Sequence, residues 1–203
     1  MTADYKSIIE AEADAIRGIP VSAAYDDAVR LIVERVHQRG GKLVVTGMGK
    51  AGQIGMNIAT TFCSTGTPAV FLHPAEAQHG DLGILQPNDL MLVISNSGKT
   101  REVLEVLQLA HRLNTDLPVI VITGDGTSPL AEAADVLLLT GGAPEVCPLG
   151  LTPTVSTTVM TVIGDLLVVS VMKRIGFTAE LYALRHHGGY LGQKAGRKAC
   201  EKQ

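Results

Sequence analysis

The sequence has no tryptophan, and aromatic residues make up only 3% of its 203 positions. Any core built from it must be aliphatic, which suits β-branched parallel strands packed under Ala/Leu-rich helices. Cysteine is scarce as well: Cys63, Cys147 and Cys200 are an odd, widely spaced set without a C-x-x-C pair. That excludes a disulfide framework and zinc-ligand spacing, and points to a reducing, cytoplasmic compartment. The net charge is only −3, with no block of like charge, so no nucleic-acid surface is expected. The N-terminus lacks the basic-then-apolar pattern of a signal peptide. The longest apolar stretch, residues 155–172, is interrupted by Gly164, Asp165 and several hydroxyl residues. It reads as a buried helix, and no membrane contact is expected.

Hydrophobic residues nevertheless make up 46% of the chain, enough for a sizeable core in one domain spanning 1–203. Apolar periodicity predicts N-terminal helices within residues 1–40, over 5–19 and from 20 to the Gly40-Gly41 stop. Strands are then expected at 42–46, 69–72, 89–94, 118–123 and 136–139. Helices alternate with them at 51–63, 101–113 and 154–174, with shorter ones near 75–79 and 129–134. Residues 179–191 read as a short helix and a Gly-rich turn, and 194–203 as a mobile tail. This alternation predicts an α/β fold: a doubly wound five-stranded parallel sheet flanked by helices, with ligands bound at the carboxyl ends of the strands.

The most informative stretch is Ser95-Asn96-Ser97-Gly98-Lys99-Thr100, between an apolar strand and a helix with Val103, Leu104, Val106, Leu107 and Ala110 at helical spacing. Such a turn offers free backbone N–H groups, hydroxyls and the positive end of a helix dipole, which together make a phosphate cradle. Glu102 stands just past it, where a carboxylate reaches a substrate held by its phosphate. Gly47-Met48-Gly49-Lys50-Ala51-Gly52 is a literal G-x-G-x-x-G after the first strand. Dinucleotide binding also needs an acid at the end of the second strand, and Phe71-Leu72-His73-Pro74 supplies none. Glycines serving only a tight turn are the plain alternative. Ser97-Gly98-Lys99-Thr100 looks like the end of a P-loop, but five positions before Gly98 stands Val93, so the wrapping loop is too short.

His79, in His79-Gly80-Asp81-Leu82-Gly83, reads either as a surface or capping residue or as part of the site. His186 and His187 are adjacent and cannot both face one centre. A zinc site from His79, His186 and a carboxylate has no metal signature in its spacing, and neither metal nor cofactor is expected. Thr154, Ser156, Thr157 and Thr158 open the last long helix either as caps or as a second polar wall.

Together these residues resemble the SIS (sugar isomerase) domain, a flavodoxin-like fold, and within it the arabinose-5-phosphate isomerases. The resemblance also rests on Ser64-Thr65-Gly66-Thr67-Pro68, His73-Pro74, Cys147-Pro148-Leu149-Gly150-Leu151 and Gly176-Phe177-Thr178-Ala179-Glu180, and runs from about residue 5 to 195. It implies catalytic positions at Lys50, His79, Glu102 and His186, and phosphate binding by Ser95, Ser97 and Thr100, with Asn96 and Gly49 beside them. Three positions depart from the family's pattern: Lys99 stands where an acid is usual, His187 replaces a proline, and Val155 replaces a serine. Lys99 is expected to add a cation near the phosphate, and His187 to loosen the turn that aims His186.

The activity implied is interconversion of D-ribulose 5-phosphate and D-arabinose 5-phosphate through an enediolate, feeding Kdo synthesis for lipopolysaccharide or capsule. Glu102 would move the proton between C1 and C2, and Lys50 would stabilise the oxyanion. His186 would carry protons between oxygens or open a cyclic sugar, while His79 would orient hydroxyls. The resemblance further implies a homo-oligomer, dimer or tetramer, in which His186 or His79 reaches a neighbour's pocket. Many family members carry a CBS pair after this domain. The sequence ends before one, so control is expected at the pocket itself, through feedback by a nucleotide-activated Kdo. The alternatives are a hexulose-phosphate type of isomerase and a non-catalytic sugar-phosphate sensor.

Overall fold

The structure is a computed structural model that describes residues 4–187 and 189–200. Two helices open the chain, α1 (Tyr5–Arg17) and α2 (Ala24–Ile32). The second runs on into a wider turn over Val33–Gln38, where the Arg39 N–H donates to the Glu34 carbonyl. Then follow β1 (Leu43–Gly47), α3 (Gly49–Ser64), β2 (Ala69–Phe71), α4 (Pro74–Ala77), a 3-10 turn at Asp81–Ile84, β3 (Leu90–Ile94) and α5 (Arg101–Leu113). The chain continues through β4 (Val119–Thr123), α6 (Pro129–Glu132), β5 (Val136–Leu139), α7 (Val155–Arg174), α8 (Ala179–Arg185) and α9 (Gly189–Cys200).

The five strands are all parallel in the order β2-β1-β3-β4-β5. This is the expected doubly wound sheet. Strands β1, β3 and β4 are buried along their whole length, which is why they read as continuous aliphatic runs rather than alternating ones. Ile58, Ala59 and Phe62 of α3 pack with α1, α2 and α7 on one face of the sheet. Val103, Val106, Leu107 and Ala110 of α5 pack with α4 and α6 on the other. At the amino ends of the strands, the buried Asp89 accepts from both the backbone N–H and the ammonium of Lys42 at 2.8 and 2.6 Å, tying β3 to β1.

Helix α7 is long and apolar enough to cross a membrane by length and composition, yet Val159, Met160, Ile163, Leu167 and Val171 are buried in the core, as expected of a core helix. It crosses α3 at Gly164, where a Cβ would lie 2.5 Å from Ile58, so the two helices meet closely. The C-terminal region differs from the expected Gly-rich turn. Residues 189–200 form α9, which packs against α8. A Cβ on Gly192 would lie 1.7 Å from the His186 carbonyl oxygen, so this glycine serves a close approach and not a turn. Residues 201–203 of the expected tail, and Gly188, lie outside the described residues.

Candidate active site

Strands β1 and β3 are neighbours, with Gly47 paired to Ile94 at their carboxyl ends. From there the chain departs into α3 on one face and α5 on the other, which makes this the switch point of the sheet, where such folds open a crevice. A cleft of about 390 Å³ occupies it. Its floor carries Lys50 from the first turn of α3 and Ser95, Asn96, Ser97 and Thr100 from the β3–α5 turn. Ser156 and Thr157, from the first turn of α7, form the facing wall. Three helices of 16, 13 and 20 residues thus point their amino ends at one space. The ends of α3 and α5 each contribute unpaired N–H groups and roughly half a positive charge, whereas that of α7 is capped by the Glu145 carboxylate. With the exposed Lys50 ammonium, the cleft is built for an anion.

The cradle is held from beneath. Gly98 has φ 61°, and a Cβ there would lie 1.9 Å from the hydroxyl of the buried Ser128, so only glycine fits. The hydroxyls of Ser95 and Thr100 share a hydrogen bond at 2.9 Å, Ser97 accepts the Lys99 N–H at 3.2 Å, and the Thr123 hydroxyl donates to the Asn96 carbonyl. The expected extra cation does not line the cleft. Lys99 reaches Asp125 instead, at 2.9 Å. Asp125 is held at a pKa of about 2, first by that bond and then by Thr127.

Glu145, in the loop after β5, is a site residue the sequence reading missed. It lines the cleft, and its Oε2 accepts from the backbone N–H of Thr154 at 2.7 Å, the Thr154 hydroxyl at 2.9 Å and the Ser156 N–H at 3.3 Å. Burial alone would raise its pKa, but the Ser156 side chain, first, and then the Thr154 and Ser156 bonds outweigh burial and leave it lowered. The cap of α7 is therefore this carboxylate, and Ser156 and Thr157 remain as wall. The only signal was an acid nine residues ahead of a hydroxyl run that contains no acid of its own.

The other expected residues are not brought together within one chain. Glu102 is the second residue of α5, half-buried, behind the cradle and outside the cleft lining. His79 is exposed just past α4, and its neighbour Gln78 donates to Glu105, one turn along from Glu102. His186 follows α8, stacked on Tyr182 with ring centroids 3.8 Å apart. Helix α8 sits at the far end of α3, where Gly66 meets Phe177 and Arg185. A rise of 1.5 Å per residue puts that end of α3 roughly 20 Å from Lys50. Among the described residues no three His, Cys, Asp or Glu side chains gather as metal ligands.

A model of the SIS domain matches residues 36–170. The chain belongs to the SIS domain family. This SIS chain is 51% identical over 164 residues to arabinose 5-phosphate isomerase KdsD of Escherichia coli K12, an alignment that covers 81% of the chain. It spans about half (49%) of the length of that relative. Among solved structures it is similar to a Bacteroides fragilis NCTC 9343 protein assigned as a phosphosugar isomerase involved in capsule formation. That match has 67% identity and a TM-score of 0.90, over 91% of this chain and 96% of the other. It is also similar to Escherichia coli CFT073 c3406 in complex with arabinose 5-phosphate, at 33% identity and TM-score 0.82, over 89% and 94% of the two chains.

Proposed function

We propose that this SIS chain interconverts D-ribulose 5-phosphate and D-arabinose 5-phosphate. One observation carries the reading: a hydroxyl-rich phosphate cradle and the exposed Lys50 share one cleft at the amino ends of α3 and α5. The names of the relatives and the arabinose 5-phosphate complex select the pentose phosphates among the possible substrates.

The chemistry follows from the weakness of the C–H acid. Ser95, Asn96, Ser97 and Thr100, with the backbone around Gly49, hold the phosphate, and this remote binding energy positions C1 and C2. Glu102, outside the cleft lining in the single chain, takes the proton from one carbon and returns it to the other in the assembled, substrate-bound site, a role that contributes about 10²–10⁴-fold. Lys50 stabilises the enediolate oxygen. His186, from a neighbouring protomer of a dimer or tetramer, moves protons between oxygens, and His79 orients hydroxyls at the rim. The reaction so written uses no metal or redox cofactor. Arabinose 5-phosphate then feeds Kdo synthesis for lipopolysaccharide or capsule in the cytoplasm. A nucleotide-activated Kdo competes for the same cleft, and absence of inhibition at millimolar concentration overturns that regulatory step.

The first test is a coupled assay over a panel of sugar phosphates, followed by Glu102→Gln. Turnover restricted to the pentose pair, with exchange of substrate hydrogen in D2O, is expected. Glu102→Gln should lower kcat about 10²-fold or more with KM little changed. Near-normal turnover by this variant removes Glu102 from the base role. Preference for a hexulose phosphate reassigns the substrate, and phosphosugar binding without turnover leaves a sensor.

A further inference from the structure

We infer that Cys147 is a positioning residue that shapes the outer wall of the cleft. The inference rests on the pentose-phosphate reading for its substrate but not for its geometry. The segment from Cys147 to Pro153 bears Gly150, Leu151 and Pro153, which line the same cleft as Lys50. This segment belongs to no helix or strand, and Leu149 and Leu151 are 76% and 77% exposed, so packing does not fix its course. Backbone hydrogen bonds must do so, and three successive N–H groups go to a single residue. The Gly150 N–H donates to the Cys147 carbonyl at 2.9 Å. The Leu151 and Thr152 N–H groups donate to the Cys147 sulfur at 3.3 and 3.2 Å. Sulfur is a weak acceptor as a thiol and a strong one as a thiolate. The bonds from Thr152 and Leu151 accordingly lower the thiol to about 7. Pro148 and Pro153 bracket the segment and donate no N–H of their own, and Glu145 takes over from Thr154 onward. Cys147 thus gives the substrate wall its shape, while the phosphate cradle on β3–α5 is held independently by Ser128 and Thr123.

A role limited to general stability would weaken every ligand alike. A role in shaping the wall would weaken the sugar phosphate and spare inorganic phosphate, which needs only the cradle. Two lost hydrogen bonds predict that Cys147→Ala raises KM for ribulose 5-phosphate about 5–20-fold, with kcat within about threefold. The inhibition constant of inorganic phosphate stays at the wild-type value. Cys147→Ser keeps an acceptor and returns most of the KM. Amide exchange at Leu151 and Thr152 accelerates about tenfold in the alanine variant and not in the serine variant. An unchanged KM with unchanged exchange, a fall in kcat alone, or equal weakening of inorganic phosphate overturns the inference. Should the wild-type chain turn over neither pentose phosphate, the functional reading fails by itself. The exchange measurement then decides the role of Cys147: slow exchange in the alanine variant rejects it, and fast exchange upholds it.

Discussion

A methyl group at Gly98 would meet the Ser128 hydroxyl at 1.9 Å and its Cβ at 2.4 Å, on a backbone already at φ 61°. Neither partner can give way, because Ser128 is buried, donates to the Asp125 carbonyl at 2.7 Å and caps α6 by accepting the Ala131 N–H. The strain must fall on the cradle. Gly98→Ala is therefore expected to weaken competitive inhibition by inorganic phosphate about tenfold or more and to lower Tm by several degrees. Adding Ser128→Gly removes the clash and should restore part of the phosphate affinity despite the lost cap. Unaltered phosphate affinity in the single variant would mean that the anion sits elsewhere. The position was readable from the sequence as a glycine in a strand-to-helix turn, but its cause was not. Ser128 comes from β4–α6, thirty residues later, and only the folded sheet brings it beneath the turn.

Helix α7 shows the same division at the scale of an element. Its existence and its burial were legible, since a long aliphatic run with hydroxyls at its start has few other places to go. Its cap was not, because a carboxylate in the preceding loop outcompetes the local hydroxyls for the first N–H groups. The consequence is measurable. With its pKa lowered in the folded state, Glu145 stabilises the fold fully above the ordinary carboxylate value of about 4.3 and loses that contribution as pH falls through the lower folded value. At neutral pH, Glu145→Gln should cost about 0.5–2 kcal/mol, the usual worth of a helix cap. The Tm gap between the two proteins should then shrink as pH is lowered from about 5 and close below the folded pKa. A gap independent of pH would show that the charge contributes nothing to the cap. Helix α9 was illegible for a different reason: Gly192 looks like a turn residue until the His186 carbonyl at the end of α8 is seen lying against it.

At the scale of the whole molecule, the fold follows from strand runs and their spacing, and the cradle from one local motif, but of the expected catalytic set only Lys50 lines the cleft, and Glu102, His79 and His186 stay apart from it. Lys50 and the cradle share a cleft, whereas His186 lies beyond the other end of α3. Helices α1, α3 and α7, on one face of the sheet, leave Tyr5, Ile9, Met56, Leu166 and Val169 exposed. A second copy packed there would cover these side chains and can bring its own His186 toward this cleft, which no single-chain reading of the sequence specifies. If sites are shared in this way, two inactive variants should rescue one another. In a site that takes Glu102 from one chain and His186 from the next, Glu102→Gln and His186→Ala co-expressed in equal amounts assemble at random. About one site in four then carries both intact residues, by the statistics of a symmetric oligomer. The mixture is expected to recover about a quarter of wild-type kcat while each variant alone stays near background. A mixture as inactive as its parents, in an oligomer shown by mass to be hybrid, would place Glu102 and His186 in the same chain's site or remove one of them from the chemistry. Recovery would mean that the cleft is completed only by assembly, so dilution below the dissociation constant should abolish turnover before it unfolds the sheet.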